Sequence, residues 1–390
     1  NITTSYATGA VSGSSSVGGL VGNNVGSVTS SYWDTFTTGQ PSSDGGTSVS
    51  GDWNNSPDAY NSGTYTGFDF TSSGDWFIAE GSSRPMLRAF LSGGGEIHNL
   101  YDLQGMAANM GGSYTLMDDI DASATADSVA AGNSGDYSDV WGGRGFAPVA
   151  NASNAFQGSL DGQNHVINQL NSNRPDQFSV GLISILDSTG QIENIGLVDA
   201  TITGDNVVGG LVGWSYGGSI ERSYVTGTVT GDNRVGGLVG DNNADISDSY
   251  STAGVSGTSD NIGGLVGLHN SGTISTSYTT GIVTGASNSG GLVGWNAGGG
   301  NITTSFWNST NADGIGLNDG NIDAASTGLT LTEFTQLTSF ASWGADIDAE
   351  GGTGSTWRIY EGNSAPLLRS FLTEIEVTAY DDHQVYDGGE

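Results

Sequence analysis

The sequence predicts an all-β solenoid, in which the chain winds through stacked coils of about 27 residues each. The motif G-G-L-V-G recurs at that interval between residues 209 and 294. Short β-prone pieces, separated by Gly, Asn, Asp and Ser, lie between the copies, and none is long enough or has the period for a helix. Glycine makes up 66 of the 390 residues, as a chain with many tight turns requires. Such units must stack, because one alone has too little apolar surface to fold.

Three signatures share this period and together define one coil. The first is the motif itself, and the second reads I/V-x-x-S-Y/F; the third follows directly, as in YVTGTVTG at 224–231. Successive coils should pair in parallel and place equivalent side chains in columns, with the Leu, Ile and Tyr/Phe columns forming one core. The valine after each motif leucine is expected at a corner that turns both side chains inward. Four motif leucines, each 27 residues from the next, are expected in a single interior file: Leu211, Leu238, Leu265 and Leu292.

A larger duplication divides the chain into segments. SYWDT at 31–35 corresponds to SFWNS at 305–309, and WFIAEGSSRPMLRAFL at 76–91 corresponds to WRIYEGNSAPLLRSFL at 357–372. The predicted segments are the end of a first array (1–33), a closing connector with short strands (34–95), a capped β-helix (96–307), a second closing connector (308–375) and the start of a following module (376–390).

A short helix is predicted at NLYDLQGMAANM, residues 99–110, with Asn99 as its N-cap. Leu100, Leu103 and Met106 fall on one face of this helix. A helix at this position would cover the open end of the second array, where an unpaired strand edge invites aggregation.

The composition excludes several classes of partner and chemistry. The formal net charge is −33, with eight arginines and no lysine, so binding to nucleic acid or to an anionic membrane surface is not expected. Direct membrane insertion is not expected either, because no apolar stretch is long enough to span a bilayer. The chain has no cysteine, which removes disulfides and thiolate sites.

The pattern G-G-L-V-G, then S-I-x-x-S-Y, then T-G-x-V-T-G resembles the GLUG repeats of large secreted bacterial adhesins. WRIYEGNSAPLLRSFL followed by VYDG is similar to filamentous-haemagglutinin-like proteins with YDG-type modules. The resemblance implies a right-handed parallel β-helix, location outside the cell or on its surface, and a role in attachment or biofilm cohesion. It also implies host or matrix glycans, exopolysaccharide or sibling adhesin molecules as partners. GLUG repeats also accompany certain immunoglobulin-A-cleaving metallopeptidases, but their H-E-x-x-H motif is absent here.

Catalysis is not expected, and no catalytic or cofactor-binding residue is assigned. The rival hypothesis is a β-helical protein that binds or cleaves polysaccharide, but the repeat shows no column of stacked acids for such chemistry. The best enzyme candidates lie in the irregular lead-in: Asp118, Asp119, Asp121, Arg144, Asp161 and His165.

Two kinds of binding site remain as weaker expectations. Calcium is the only cofactor considered, because hard cations prefer oxygen ligands, and its candidate ligands are Asp118, Asp119, Asp121 and Asp161. Trp214 and Trp295 each follow a G-G-L-V-G motif and could stack on sugar rings. The four histidines are expected to be ordinary surface or turn residues.

Overall fold

The computed structural model describes residues 1–52, 55–91, 93–126, 138–141, 143–310, 313–350 and 354–373. Within these ranges the second array winds through three sheets of parallel strands, which confirms the predicted parallel β-solenoid. The predicted start of a following module at 376–390 lies outside the described residues.

We call the three sheets the long face, the tyrosine face and the short face. The strands of the long face are Glu96–Ile97, Ser113–Leu116, Ser159–Asp161, Ile183–Leu186, Gln191–Glu193, Val212–Ser215, Ser219–Glu221, Val239–Asn242, Asp245–Ser247, Val266–Ser275, Val293–Thr303, Ile315–Asn318 and Asn321–Ile322. The strands of the tyrosine face are Ile120–Asp121, Val166–Asn168, Asn171–Asn173, Gly196–Thr203, Tyr224–Gly231, Tyr250–Ser251, Gly254–Gly257, Tyr278–Thr279, Val283–Thr284, Phe306–Asn308 and Thr327–Leu329. The strands of the short face are Ser179–Val180, Val207–Gly209, Val235–Gly236, Asp260–Gly263 and Ser287–Gly290.

The remaining elements are short. The first array and its connector contribute strands Ile2–Thr3, Tyr6–Ala7, Val28–Thr29, Tyr32–Asp34, Thr47–Val49, Trp76–Phe77 and Met86–Leu87, and the second connector contributes Ile347–Asp348, Trp357–Arg358 and Leu367–Leu368. The described α-helices are Thr35–Thr38, Leu100–Gly105 and Ser138–Trp141. The described 3-10 segments are Asp58–Tyr60, Ser62–Thr64, Arg88–Phe90, Gly93–Gly95, Met106–Ala108, Ser123–Ala126, Glu333–Thr335, Leu337–Asp346 and Arg369–Phe371.

The motif leucines form the predicted interior file. The backbone N–H of Leu211 donates to the carbonyl of Leu238 at 3.0 Å, and the next two steps along the file are 2.9 Å each. All four leucines have no exposed surface, and neither do the valines that follow them. Because neighbouring Leu and Val side chains both point inward, each motif sits at a corner, as predicted.

All three glycines of the motif are required by close backbone approaches. A Cβ added at the first glycine, Gly236, would lie 2.0 Å from the Val239 carbonyl oxygen of its own lap and 2.7 Å from the Gly267 nitrogen of the next lap. One added at the second glycine of the next copy, Gly264, would lie 2.1 Å from the Gly291 oxygen. One added at the third glycine, Gly267, would lie 2.6 Å from the Gly240 oxygen. Successive laps therefore meet at this corner at distances that no side chain permits.

The prediction that the Tyr/Phe column joins the interior core is wrong. The rings of Tyr224, Tyr250 and Tyr278 stack outside the coil, at centroid distances of 4.8 and 4.9 Å and within 2° of parallel. The residue after each Tyr points inward instead, as Val225 does against the second motif glycine of its lap, Gly210. Because successive side chains of a strand point to opposite faces, an inward Val225 places the tyrosine outside.

The solenoid continues past the predicted boundary at residue 307, because strands Ile315–Asn318, Asn321–Ile322 and Thr327–Leu329 add one more lap. The rest of the second connector packs alongside the solenoid and buries this tyrosine column. Trp343 and Trp357 form one apolar cluster with Tyr250, Tyr278 and Phe306. The Tyr278 hydroxyl donates to the carbonyl of Pro366 at 2.6 Å. The sequence therefore continues past the last motif with a segment whose apolar residues cover the solenoid's outer aromatic column.

The first connector covers its own array in the same way. Tyr65 packs edge-on against Tyr6 and Tyr32, at centroid distances of 5.4 and 5.1 Å. The two connectors also share an antiparallel hairpin, which pairs Trp76 with Leu87 in one copy and Trp357 with Leu368 in the other.

The predicted helix at the start of the second array is present over Leu100–Gly105 and continues as a 3-10 turn. The side chain of Asn99 caps it by accepting hydrogen bonds from the N–H groups of Tyr101 and Asp102. Leu103 and Met106 are fully buried in the solenoid core. The helix therefore covers the end of the stack.

The first connector is joined to this cap by a buried junction. Phe77 and Met86 belong to the same apolar core as the cap helix. The backbone N–H of Arg84 donates to Val140 at 2.9 Å, and the guanidinium of Arg174 reaches the carbonyl of Ser82 at 3.3 Å.

Arg84 also forms an ion pair with Asp34 at 2.7 Å, and both side chains are at most 1% exposed. In the duplicated connector the corresponding residues are Asn308 and Ala365. The charged pair is thus absent as a whole from the second copy.

Replacing the second motif glycine by Gly264→Ala should lower the free energy of unfolding by about 1–3 kcal/mol, because the new Cβ overlaps the Gly291 carbonyl of the next lap. Gly254→Ala is the matched control, since its Cβ would have no neighbour closer than 3.9 Å. Denaturant unfolding measures both variants. An equal loss in the two would contradict the close-approach explanation.

Candidate functional site

Two histidine–aspartate pairs lie at the capped end of the solenoid. Nδ1 of His98 is 2.8 Å from a carboxylate oxygen of Asp118, and Nδ1 of His165 is 3.0 Å from Asp119. Hydrogen bonding to Asp118 and also to Glu96 raises the pKa of His98 above its usual value. The pairs join three successive laps at one corner of the stack.

An open cleft of about 630 Å³ adjoins these pairs. It is lined by His98, Asn99, Leu100, Tyr101, Asp119, Ile120 and Asp121. Of the residues proposed for an enzyme, the structure thus brings Asp118, Asp119 and His165 to this end of the solenoid, whereas Arg144 forms an ion pair with Asp176.

The proposed calcium ligands each take part in local hydrogen bonds. Asp121 accepts from the N–H of Ser123, and Asp161 accepts from the N–H of Gln163 and from the amide of Asn194. The described residues contain no group of three or more His, Asp or Glu side chains placed to hold one metal ion. Calcium binding stays a prediction.

A short column of stacked carboxylates lies mainly on the laps before the regular repeat, within which Ser247 and Ser275 continue it. Asp161, Glu193 and Glu221 lie in register on adjacent laps of the long face. Arg222 forms ion pairs with both glutamates, at 2.6 Å from Glu193. A search at the fixed interval of the repeat misses this column, because Asp161 and Glu193 are 32 residues apart. The sequence signal is an acid directly after the buried Leu or Ile on each of these three laps.

The two candidate sugar-stacking residues lie in one outer column of the long face. The register places Trp214, Asp241, Leu268 and Trp295 on four successive laps. Both tryptophans are partly exposed. Nε1 of Trp295 donates to Asp319 at 3.0 Å.

Exposed aromatic rings surround Trp214, and a mostly buried polar cluster lies on the next lap. The ring of Tyr216 packs edge-on against it at 5.1 Å, and Phe178 lies 6.4 Å away. On the next lap, Asp241 pairs with Arg234 at 2.8 Å and accepts from the amide of Asn270 at 2.6 Å. Burial raises the pKa of Asp241 to about 6, against the opposing effect of Arg234.

One of the four histidines is not the surface or turn residue that was predicted. His269 has no exposed surface and stands in an interior file between Asn242 and Asn296. Its Nδ1 is 3.1 Å from the amide nitrogen of Asn242. Burial lowers the pKa of His269 to about 4, so the ring is neutral at pH 7.

Acidic residues far outnumber basic ones in this chain. Eight arginines can neutralise at most about a fifth of the 41 acidic residues. In the described part of the chain, arginine forms ion pairs with Asp34, Asp176, Glu193, Glu221 and Asp241. The remaining acids repel one another across the surface. No described helix is long and apolar enough to cross a membrane.

One lap of the solenoid matches a sequence motif known from other proteins. Residues 204–230 match the GLUG motif. A stretch of 126 residues, 31% of this chain, is 42% identical to halomucin of Haloquadratum walsbyi, and the match spans 1% of halomucin. A proposed immunoglobulin A1 protease from Bacteroides ovatus aligns over 70% of this chain and 92% of its own, at 16% identity and a TM-score of 0.48. The motif and the partial relative fit a GLUG-repeat protein.

His269→Asn should remove a loss of stability in acid. The folded-state pKa of about 4 lies below the usual 6.5. The contribution of neutral His269 is therefore complete above pH 6.5 and is lost as the pH falls toward 4. As the pH falls from 7 to 4, the unfolding free energy of the variant should rise by about 2–3 kcal/mol relative to that of the wild type.

Asparagine suits this position because both neighbouring laps carry it. Asp241 has the opposite pH dependence, since its raised pKa favours the folded state as the pH falls below 6. The test is therefore the difference between variant and wild type in unfolding free energy at each pH. A difference that does not change with pH would exclude His269 as the cause.

Salt should stabilise the chain, because screening weakens the repulsion among its acids. Raising NaCl from about 0.02 M to about 1 M should raise Tm by about 5 °C or more. Calcium chloride at matched ionic strength is the control: general screening gives the same Tm, whereas a calcium site adds a saturable rise. A Tm that does not change with NaCl would rule out this account of the surface.

Proposed function

We propose that this chain is a rod segment of a large secreted adhesin, located outside the cell or on its surface, where it holds adhesive contacts away from the cell. The observation that carries the proposal is the single apolar core that runs from Phe77 of the first connector to Ile302 near the last lap. Because the connector and the stacked coils share this core, the units resist bending against each other, as a spacer must.

The comparisons support a surface location. The GLUG motif and the similarity to halomucin suggest a surface-associated solenoid protein. Attachment or biofilm cohesion, as in filamentous-haemagglutinin-like adhesins, is the role proposed for it. Repetition of weak contacts along such a rod would give avidity without a deep binding pocket.

A second candidate function is the cleavage of polysaccharide, and the capped end favours it. The His165–Asp119 pair could move a proton, and the carboxylates of Asp161, Glu193 and Glu221 follow on neighbouring laps. Release of sugar fragments by the wild type, abolished in Asp119→Asn, would establish this reaction. Wild-type chain that releases nothing from a panel of polysaccharides would exclude it.

The adhesin proposal is tested in the full-length protein on its source cells. Deleting residues 96–373 should reduce attachment to surfaces or to sibling cells, and antibodies against this segment should label intact cells. Replacing the segment by an unrelated solenoid of equal length separates two roles: restored attachment indicates a spacer, and persistent loss indicates specific contacts. Normal attachment by the deletion strain, or labelling only after lysis, would refute the proposal.

A further inference from the structure

We propose that the outer column of the long face binds an uncharged glycan that lies along the solenoid axis. We call this surface the tryptophan strip, formed by Phe178, Trp214, Tyr216, Asp241, Asn270 and Trp295. The inference rests on the surface location proposed above and names the partner. To the two partly exposed tryptophans the proposal adds four neighbouring side chains whose proximity the sequence alone does not show.

The strip begins with an aromatic patch that is open to solvent. Phe178 is 51% exposed and Tyr216 is 42% exposed, and both pack against the ring of Trp214. On the preceding lap of the same column, Ile185 is in register with Trp214 and only 3% exposed, so the patch ends there. Sugar rings stack on such aromatic surfaces through their C–H faces, while polar groups nearby fix their orientation.

The strip ends with a second stacking residue at a fixed distance. Trp295 lies three laps from Trp214 in the same column. At the lap spacing of about 4.8 Å the two are separated by about 14 Å along the axis. A disaccharide is too short to contact both tryptophans, and an oligosaccharide of several rings can reach from one to the other.

The laps between the tryptophans supply hydrogen-bonding groups. Asp241 is almost fully buried and fixes the guanidinium of Arg234, which is 34% exposed and keeps further N–H donors for sugar hydroxyls. Asn270, held by Asp241 at 2.6 Å, adds an amide oxygen as an acceptor. Leu268, on the lap between Asp241 and Trp295, is apolar and only 5% exposed, so the contacts between the tryptophans fall to Arg234 and Asn270.

The charge of the chain selects an uncharged ligand. The carboxylate of Asp241 already pairs with Arg234, the cation beside the strip, and the whole chain carries a formal charge of −33. An anionic polysaccharide would therefore meet net repulsion, whereas a neutral glycan loses nothing by approaching.

The test is titration of the chain with neutral probes of increasing length, namely xylan, mannan, β-glucan and chitin oligosaccharides, with polygalacturonate as the anionic comparison. Wild type should bind a hexasaccharide of at least one neutral series more tightly than its disaccharide. Tyr216→Ala should weaken hexasaccharide binding about three- to tenfold, in line with the loss of one stacking contact. Trp295→Ala should lower the affinity for the hexasaccharide to that for the disaccharide.

Tyr360→Ala is the matched control, because Tyr360 is 46% exposed but lies on the second connector. It should leave the affinity unchanged. Thermal unfolding of each variant verifies folding, and Tyr216→Ala keeps the test valid if a tryptophan variant unfolds. The proposal fails if no neutral glycan binds, if polygalacturonate binds best, or if the strip variants bind like the control. Cell-surface labelling and attachment are measured separately, so this failure would leave the rod function intact.

Discussion

The fold depends on how closely successive laps approach at the G-G-L-V-G corner. Three glycines in each copy bring backbone within contact of backbone, and the leucine file is hydrogen-bonded through this corner. This contact also aligns the other columns of these laps, because the strands on either side leave the corner in fixed directions. The interior polar file and the tryptophan strip both follow from that register.

The sequence predicts the interior of this protein better than its exterior. The leucine file, the inward valines and the cap at Asn99 follow from spacing and local rules, because a buried side chain repeats wherever the coil repeats. The tyrosine column repeats with the same period, so the period alone did not show which side it faces. Only the connector's complementary apolar residues, far along the chain, reveal that its outer side is covered.

The candidate site illustrates a second limit of sequence reasoning. Asp161, Glu193 and Glu221 align across laps of unequal length, so a fixed interval misses that alignment. His269 carries no sequence mark of burial, yet asparagines at the equivalent positions of neighbouring laps could have indicated an interior polar file. Variation within a repeat was thus as informative as the repeat itself.

The buried pair of Asp34 and Arg84 shows how duplicated segments diverge. Its counterparts, Asn308 and Ala365, lack both charges, and the hairpin is nevertheless formed in the two copies. Losing one member alone would leave an unpaired charge buried in the core. Losing both members has little effect on stability. The same hairpin is therefore compatible with a buried ion pair in one connector and with two uncharged residues in the other.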